Sequence, residues 1–287
     1  MCTLSRFSSL QDFVNDDKII SGEKFLNCSR SERTFNYVKR DFLYKNGVWR
    51  HQNVKSWISQ SKFYASKTLV IGHSDISTKK TDAVILKKFG VSKVFAVNNY
   101  PHKVFSESLP LGITNNCDDS PLHRLLGNEL HFLKANSSEF SSDNFTPSVY
   151  LNFTPGNNSG LRNKLLSLAE ELSPLYQVTI QTPDFTDIGR VKYLGDLRSK
   201  GLVLCPEGNG VDTHRFWETL YMGGLPVVTK NKVMQSFYDD LPVLQLDSWR
   251  DLTDISLVEG KWWELTERKY NFELLSKDYW IQRLTSE

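Results

Sequence analysis

Arg215 and Glu218 stand three residues apart in the stretch Gly201 to Thr229, GLVLCPEGNGVDTHRFWETLYMGGLPVVT. A guanidinium is a permanent cation, and a helix starting just before it adds free N–H groups and the positive end of a dipole, a combination suited to phosphate. A carboxylate one turn on is an acceptor for vicinal hydroxyls, such as those of a ribose. An anion and a diol together describe a sugar nucleotide. The same two residues also fit an i,i+3 ion pair on a solvated helix face, and residue types alone leave both readings open. His214 and Glu218 have i,i+4 zinc spacing, a weaker reading because no second histidine or cysteine stands at ligand spacing.

A second loop of similar chemistry lies upstream. Thr154-Pro155-Gly156-Asn157-Asn158-Ser159-Gly160 runs from an apolar segment into a helix carrying Arg162. Small residues, Gly156 and Asn157 among them, let backbone N–H groups approach an anion that Arg162 can fork onto. The G-K-[ST] ending of a Walker loop is absent. Facing Arg215, this loop becomes a diphosphate clamp that stabilises a leaving nucleoside diphosphate electrostatically. Backbone around Pro206, Gly208, Asn209 and Gly210 borders the same donor, Asp212 reads as the helix N-cap, and His214 stands on the polar side. No Asp-x-Asp occurs, and the pairs Asp118-Asp119 and Asp239-Asp240 read as solvated turns. The expected mechanism therefore needs no divalent metal and no cofactor beyond the donor itself.

Transfer with inversion requires a base on the acceptor side. Asp75 is the first candidate, just past the strand Lys67 to Ile71, with His73 beside it as alternative base or orienting partner and Glu23 and Glu107 behind them. Ser74-Asp75 as a simple turn cap is the structural alternative.

The elements that must position these groups alternate. Leu202 to Cys205 and Leu225 to Val228 read as buried strands bracketing a helix that ends at Gly223-Gly224. Phe216, Trp217, Leu220 and Tyr221 fall on one side of that helix, and His214, Arg215, Glu218 and Thr219 on the other. Upstream come strand Val149 to Phe153, helix Leu161 to Leu172, strand Tyr176 to Ile180 and helix Tyr193 to Ser199. Before a polar linker at Lys134 to Pro147, the strands Lys67 to Ile71 and Val91 to Val97 flank a helix from Asp82 to Phe89, and Leu109 to Ile113 is extended. Residues 1–66 read as mostly helical, with helices at Ser31 to Tyr44 and Val54 to Tyr64 and a short strand at Ile19-Ile20. This alternation predicts an α/β fold with parallel sheets.

The string CPEGNGVDTHRFWETLYMGGLPVV resembles the signature of exostosin-like glycosyltransferases: a small-residue loop, Asp, an Arg-bearing helix with Trp-Glu-Thr-Leu, then Gly-x-Pro-Val-Val. Val94 to Thr114, VFAVNNYPHKVFSESLPLGIT, is similar to the same family's aromatic strand and Pro-Leu-Gly-Ile turn. The resemblance implies a GT-B-like arrangement of two Rossmann-like domains facing across a cleft. Residues 1–140 would bind the acceptor and residues 148–264 the nucleotide sugar, with the C-terminal segment 265–287 returning to the first. It further implies an inverting transfer from a UDP-sugar, with xylose as the sugar, to a glycan hydroxyl such as that of a viral capsid glycan. A catalytically inert module that kept the donor site is the alternative; a sulfotransferase or phosphotransferase lacks its nucleotide loop here.

Composition sets bounds. A chain of 287 residues with net charge +2 carries no global field for nucleic acid or an anionic membrane. Cys2, Cys28, Cys117 and Cys205 show no metal or redox spacing, so reduced thiols are expected. No apolar run is long enough to span a membrane, and the start lacks a secretory h-region. Members of the family are mostly membrane-anchored, so the expectation is a soluble cytoplasmic enzyme or a chain whose anchor has been removed.

Overall fold

A computed structural model describes residues 36–39, 42–45, 48–51, 68–72, 75, 80–99, 106–114 and 147–286. Two parallel sheets organise them. The first has the order β1-β4-β5-β6, built from β1 (Asn36–Lys39), β4 (Thr68–Gly72), β5 (Lys93–Ala96) and β6 (Ser106–Ser108). A separate antiparallel hairpin joins β2 (Phe42–Lys45) to β3 (Val48–His51). Helix α1 (Lys80–Lys88) crosses between β4 and β5. It covers the face where Leu69, Ile71, Val94 and Ala96 pack on Leu86 and Val91.

The second sheet comprises β7 (Ser148–Asn152), β8 (Gln177–Gln181), β9 (Leu202–Leu204), β10 (Leu225–Thr229) and β11 (Leu244–Leu246) in the order β11-β10-β9-β7-β8. Counted from β7, that is 2-1-3-4-5, one of the two common doubly wound orders. Every described pairing in it is parallel, so side chains alternate between two covered faces. Val149, Leu151, Leu202, Leu204 and Val227 point to α2 (Ser159–Leu172) and α6 (Ile255–Glu267). Tyr150, Val203, Cys205 and Val228 point to α3 (Asp187–Ser199), α4 (His214–Tyr221) and α5 (Gln235–Asp240). The second face is continuous with the first sheet: Val70, Phe95, Val97, Leu109 and Ile113 belong to the same apolar cluster as Phe216, Trp217 and Trp280. The last helix, α7 (Lys277–Thr285), reaches the first sheet through an Arg283–Glu107 ion pair and a bond from Lys93 Nζ to the Arg283 carbonyl (3.3 Å).

Three expectations change. Ser31 to Tyr44 holds strands, not a helix: β1 and most of β2 fall within it. Their aromatic and β-branched residues favour extended chain, and Asn46-Gly47 between β2 and β3 is a strong hairpin signal. Helix α3 begins at Asp187, six residues before the expected Tyr193, with Thr186 accepting from the Gly189 N–H as its cap. Asp212 is not the N-cap of α4. Thr213 holds that position, and its side chain makes no cap bond. Val54 to Tyr64, Ile19-Ile20, Glu23, His73 and most of the Lys134 to Pro147 linker lie outside the described residues. Among the described residues no helix is long and apolar enough to cross a membrane, and Cys205 is a buried free thiol.

Candidate functional site

Strand order locates the crevice. The chain leaves β7 toward β8 and returns on the other side of β7 to form β9, so the loops after β7 and β9 diverge. Open parallel sheets take their ligands at such switch points, outside the carboxyl ends of the strands. Arg162 comes from the first turn of α2, after β7, and Arg215 from the first turn of α4, after β9.

The two guanidinium groups flank one ring. Arg162 Cζ is 5.4 Å from the Phe153 centroid and Arg215 Cζ is 5.6 Å from it. Arg162 is 6% exposed and is aimed by the carbonyls of Thr154 (2.9 Å) and Glu207 (3.3 Å). Arg215 donates to the Asn152 carbonyl, while its Nε is buried and makes no hydrogen bond. Neither cation has a carboxylate within ion-pair distance among the described residues. Burial and the Arg215 charge push Arg162 down to about 10, so Arg162 stays charged at neutral pH. The first turns of α2 and α4 contain no acid and neither helix has a side-chain cap. Two like charges beside two open helix N-termini form a field that only an anion relieves.

Glu218 occupies a different environment. It is 2% exposed, as Thr219 is at 0%, so the far side of α4 is buried rather than a polar stripe. Glu218 Oε1 accepts from Arg190 Nη2 (2.6 Å) and Thr114 Oγ1 (3.0 Å), and Oε2 accepts from Tyr193 Oη (2.8 Å). Burial raises its pKa, but the Arg190 and His214 charges and those bonds outweigh it and hold the carboxyl down at about 2. A ribose would have to displace these partners. The i,i+3 pair with Arg215 does not form: the cation partner of Glu218 is Arg190, on another helix.

The two stretches singled out in sequence meet each other. Asp212 Oδ2 accepts from the Leu111 N–H (2.9 Å), and Oδ1 from Trp217 Nε1 (2.7 Å). The Asp212 N–H donates to Asn98 Oδ1 (2.8 Å), and His214 Nδ1 donates to the Gly112 carbonyl (2.8 Å). With Thr114 on Glu218, these contacts join Asn98, Leu111, Gly112 and Thr114 to the loop and helix after β9. Burial raises the Asp212 carboxyl to about 7 against its hydrogen bonds.

Asp75 is exposed, and its Cα would lie 3.1 Å from a Cβ placed on Gly210, with Asn98 Nδ2 at 2.7 Å. A side chain at 210 would thus force the first sheet's loops away, which explains the glycine. Thr154, Gly156, Asn157 and Asn209 are exposed around the crevice, while Pro206 is buried and Gly208 half-buried. Glu107 is engaged by Arg283. Among the described residues no group of three or more His, Cys, Asp or Glu is arranged to hold a metal. Residues to which the sequence assigned no role at the site are Phe153, between the cations, Asn152 beneath Arg215, and Arg190 with Tyr193 on Glu218. Arg190 opens the buried stripe Arg190, Tyr193, Leu194, Leu197; a charge at a core position hides the period that would have revealed it.

No protein-family model matches this chain, and no curated protein matches it.

Proposed function

We propose that the protein is an inverting glycosyltransferase of the exostosin-like type, taking a sugar from a nucleoside diphosphate to a glycan hydroxyl, with UDP-xylose as the donor its sequence resemblance favours. One observation carries the reading: Arg162 and Arg215, both without acidic partners among the described residues, converge on the switch-point crevice beside two helix N-termini that lack side-chain caps. A diphosphate supplies the missing negative charge. In transfer the same cations stabilise the charge that develops on the leaving diphosphate, so the site is stronger for the transition state than for the intact donor. Asp75, across the junction at Gly210, takes the acceptor proton as the hydroxyl attacks the anomeric carbon opposite the leaving group. A GT-B-like division into acceptor and donor halves accords with the two parallel sheets whose carboxyl-end loops meet there.

A thermal-shift series with UDP, GDP and their sugar conjugates, with and without a divalent metal, tests this. Ligand at about 100 times its dissociation constant stabilises by about 2.7 kcal/mol, or about 4 °C for a chain of this length. The expected result is such a shift with one nucleotide family, the same with and without metal. Absence of any shift would remove the donor site and the function with it.

A further inference from the structure

Beside the crevice, at the carboxyl ends of β7 and β8, lies a cavity of about 300 Å³ lined by Asn152, Gln181, Thr182, Asp184, Gly189 and Lys192. That volume is at the lower end for small-molecule sites, room for a pentose and part of a base. Asn152 links it to the cations. Its carbonyl holds Arg215 while its side chain, in a residue only 4% exposed, lines the cavity. Asn152 Nδ2 donates to Tyr150 Oη (2.9 Å), which leaves Oδ1 to accept from whatever enters. Gln181 is held in place, accepting from Tyr150 Oη (3.1 Å) and donating to Asp196 (3.0 Å). Asp184 is exposed at the rim. Its Oδ1 accepts from the Thr186 N–H (2.9 Å), the Thr186 side chain also bonds the carboxyl, and the carboxylate has further lone pairs toward solvent that a ligand donor can use. A Cβ on Gly189 would collide with the Asp184 carboxyl, so the glycine keeps that carboxylate against the start of α3.

The layout has a direction. Asp75 and Gly210 stand on the β9 side of the cations, the side where a transferred sugar must meet its acceptor. The cavity lies on the opposite side, over β8, where Asn152 and Asp184 offer acceptors; the cation in its lining, Lys192, is already paired with Asp196 (3.1 Å). A ligand that fills both carries an anion at its middle and hydroxyl donors at the far end.

We propose that this cavity receives the nucleoside of the donor, with Asp184 accepting from the ribose diol and Asn152 Oδ1 from a neighbouring donor group. The inference rests on the transferase reading for the diphosphate between them, and it moves the diol acceptor from the saturated Glu218 to Asp184. Calorimetric titrations of UDP, GDP and inorganic pyrophosphate into the wild-type protein, Asp184→Asn and Gly189→Ala separate the two ideas. The expected result is an affinity for the nucleoside diphosphate about tenfold lower in both variants, with pyrophosphate affinity unchanged. If pyrophosphate binds and the variants hold UDP and GDP as tightly as the wild type, the nucleoside lies elsewhere and the diphosphate site stands. If UDP and GDP bind the wild type no more tightly than pyrophosphate, the cavity assignment is overturned in the same way. If the wild type binds none of the three, both the cavity assignment and the transferase reading fall.

Discussion

Helix α4 carries two charged side chains less than one turn apart with opposite fates. Glu218 is enclosed by Arg190, Tyr193 and Thr114, every strong acceptor position answered by a donor. Arg215 has a backbone carbonyl, an aromatic ring, another cation across that ring and a buried Nε with no partner. A protein that only needed to fold could have paired the two. Instead the acid secures α4 to α3 and to Thr114 in the segment after β6, and Arg215 is left without a counter-charge at the sheet edge. Satisfied charge marks the scaffold, and unsatisfied charge marks the place where a ligand completes the electrostatics.

Glu218→Ala should have the largest effect. It strands the Arg190 guanidinium, 4% exposed, without its counter-ion, and breaking a buried pair from one side costs about 3–5 kcal/mol. Melting should fall by about 5–8 °C. A variant as stable as the wild type would show that the cluster is not structural and return Glu218 to the ligand. Arg215→Ala should do the reverse. Binding of a nucleoside diphosphate should weaken by about tenfold to a hundredfold, the range for charged hydrogen bonds. Melting should stay level or rise, because a like-charge neighbour of Arg162 has gone. A large loss of stability in Arg215→Ala would erase the contrast.

The smallest effect expected is on pH dependence, and its sign differs between two acids near α4. Glu218, held down at about 2, contributes stability that is complete above about 4.5 and is lost as pH falls through 2. Asp212, raised by burial to about 7, binds its proton more tightly when folded, so stability declines as pH rises from about 3.8 through 7. Melting temperature should therefore climb through the lowest pH range and then slope down toward neutrality. Glu218→Gln should flatten the first limb and leave the second.

Only the cationic half of this contrast is legible in the sequence, and the reasons for the rest are physical. Arg162 and Arg215 could be placed because each follows a small-residue loop at the start of an apolar-striped helix, a pattern that is local in sequence. The parallel strands were legible for the same reason. Glu218 could not be placed, because its partners Arg190 and Thr114 lie 28 and 104 residues away and nothing local announces them. Asp212 looked like a helix cap because its residue type suits one, but tertiary bonds to Leu111 and Trp217 claim the carboxylate. The cavity at the carboxyl ends of β7 and β8 was equally invisible: it depends on Asp184 meeting Gly189 in the first turn of a helix whose start the sequence concealed.

The central claim is that Arg162 and Arg215 together form a site for a diphosphate. Its most direct test is calorimetric titration of inorganic pyrophosphate into the wild-type protein and into the double variant Arg162→Ala/Arg215→Ala, with both melts recorded. The account predicts measurable binding by the wild type and loss of at least about a hundredfold in the double variant, which should melt no lower than the wild type. Equal affinity in the two proteins, or no binding by the wild type, would contradict it.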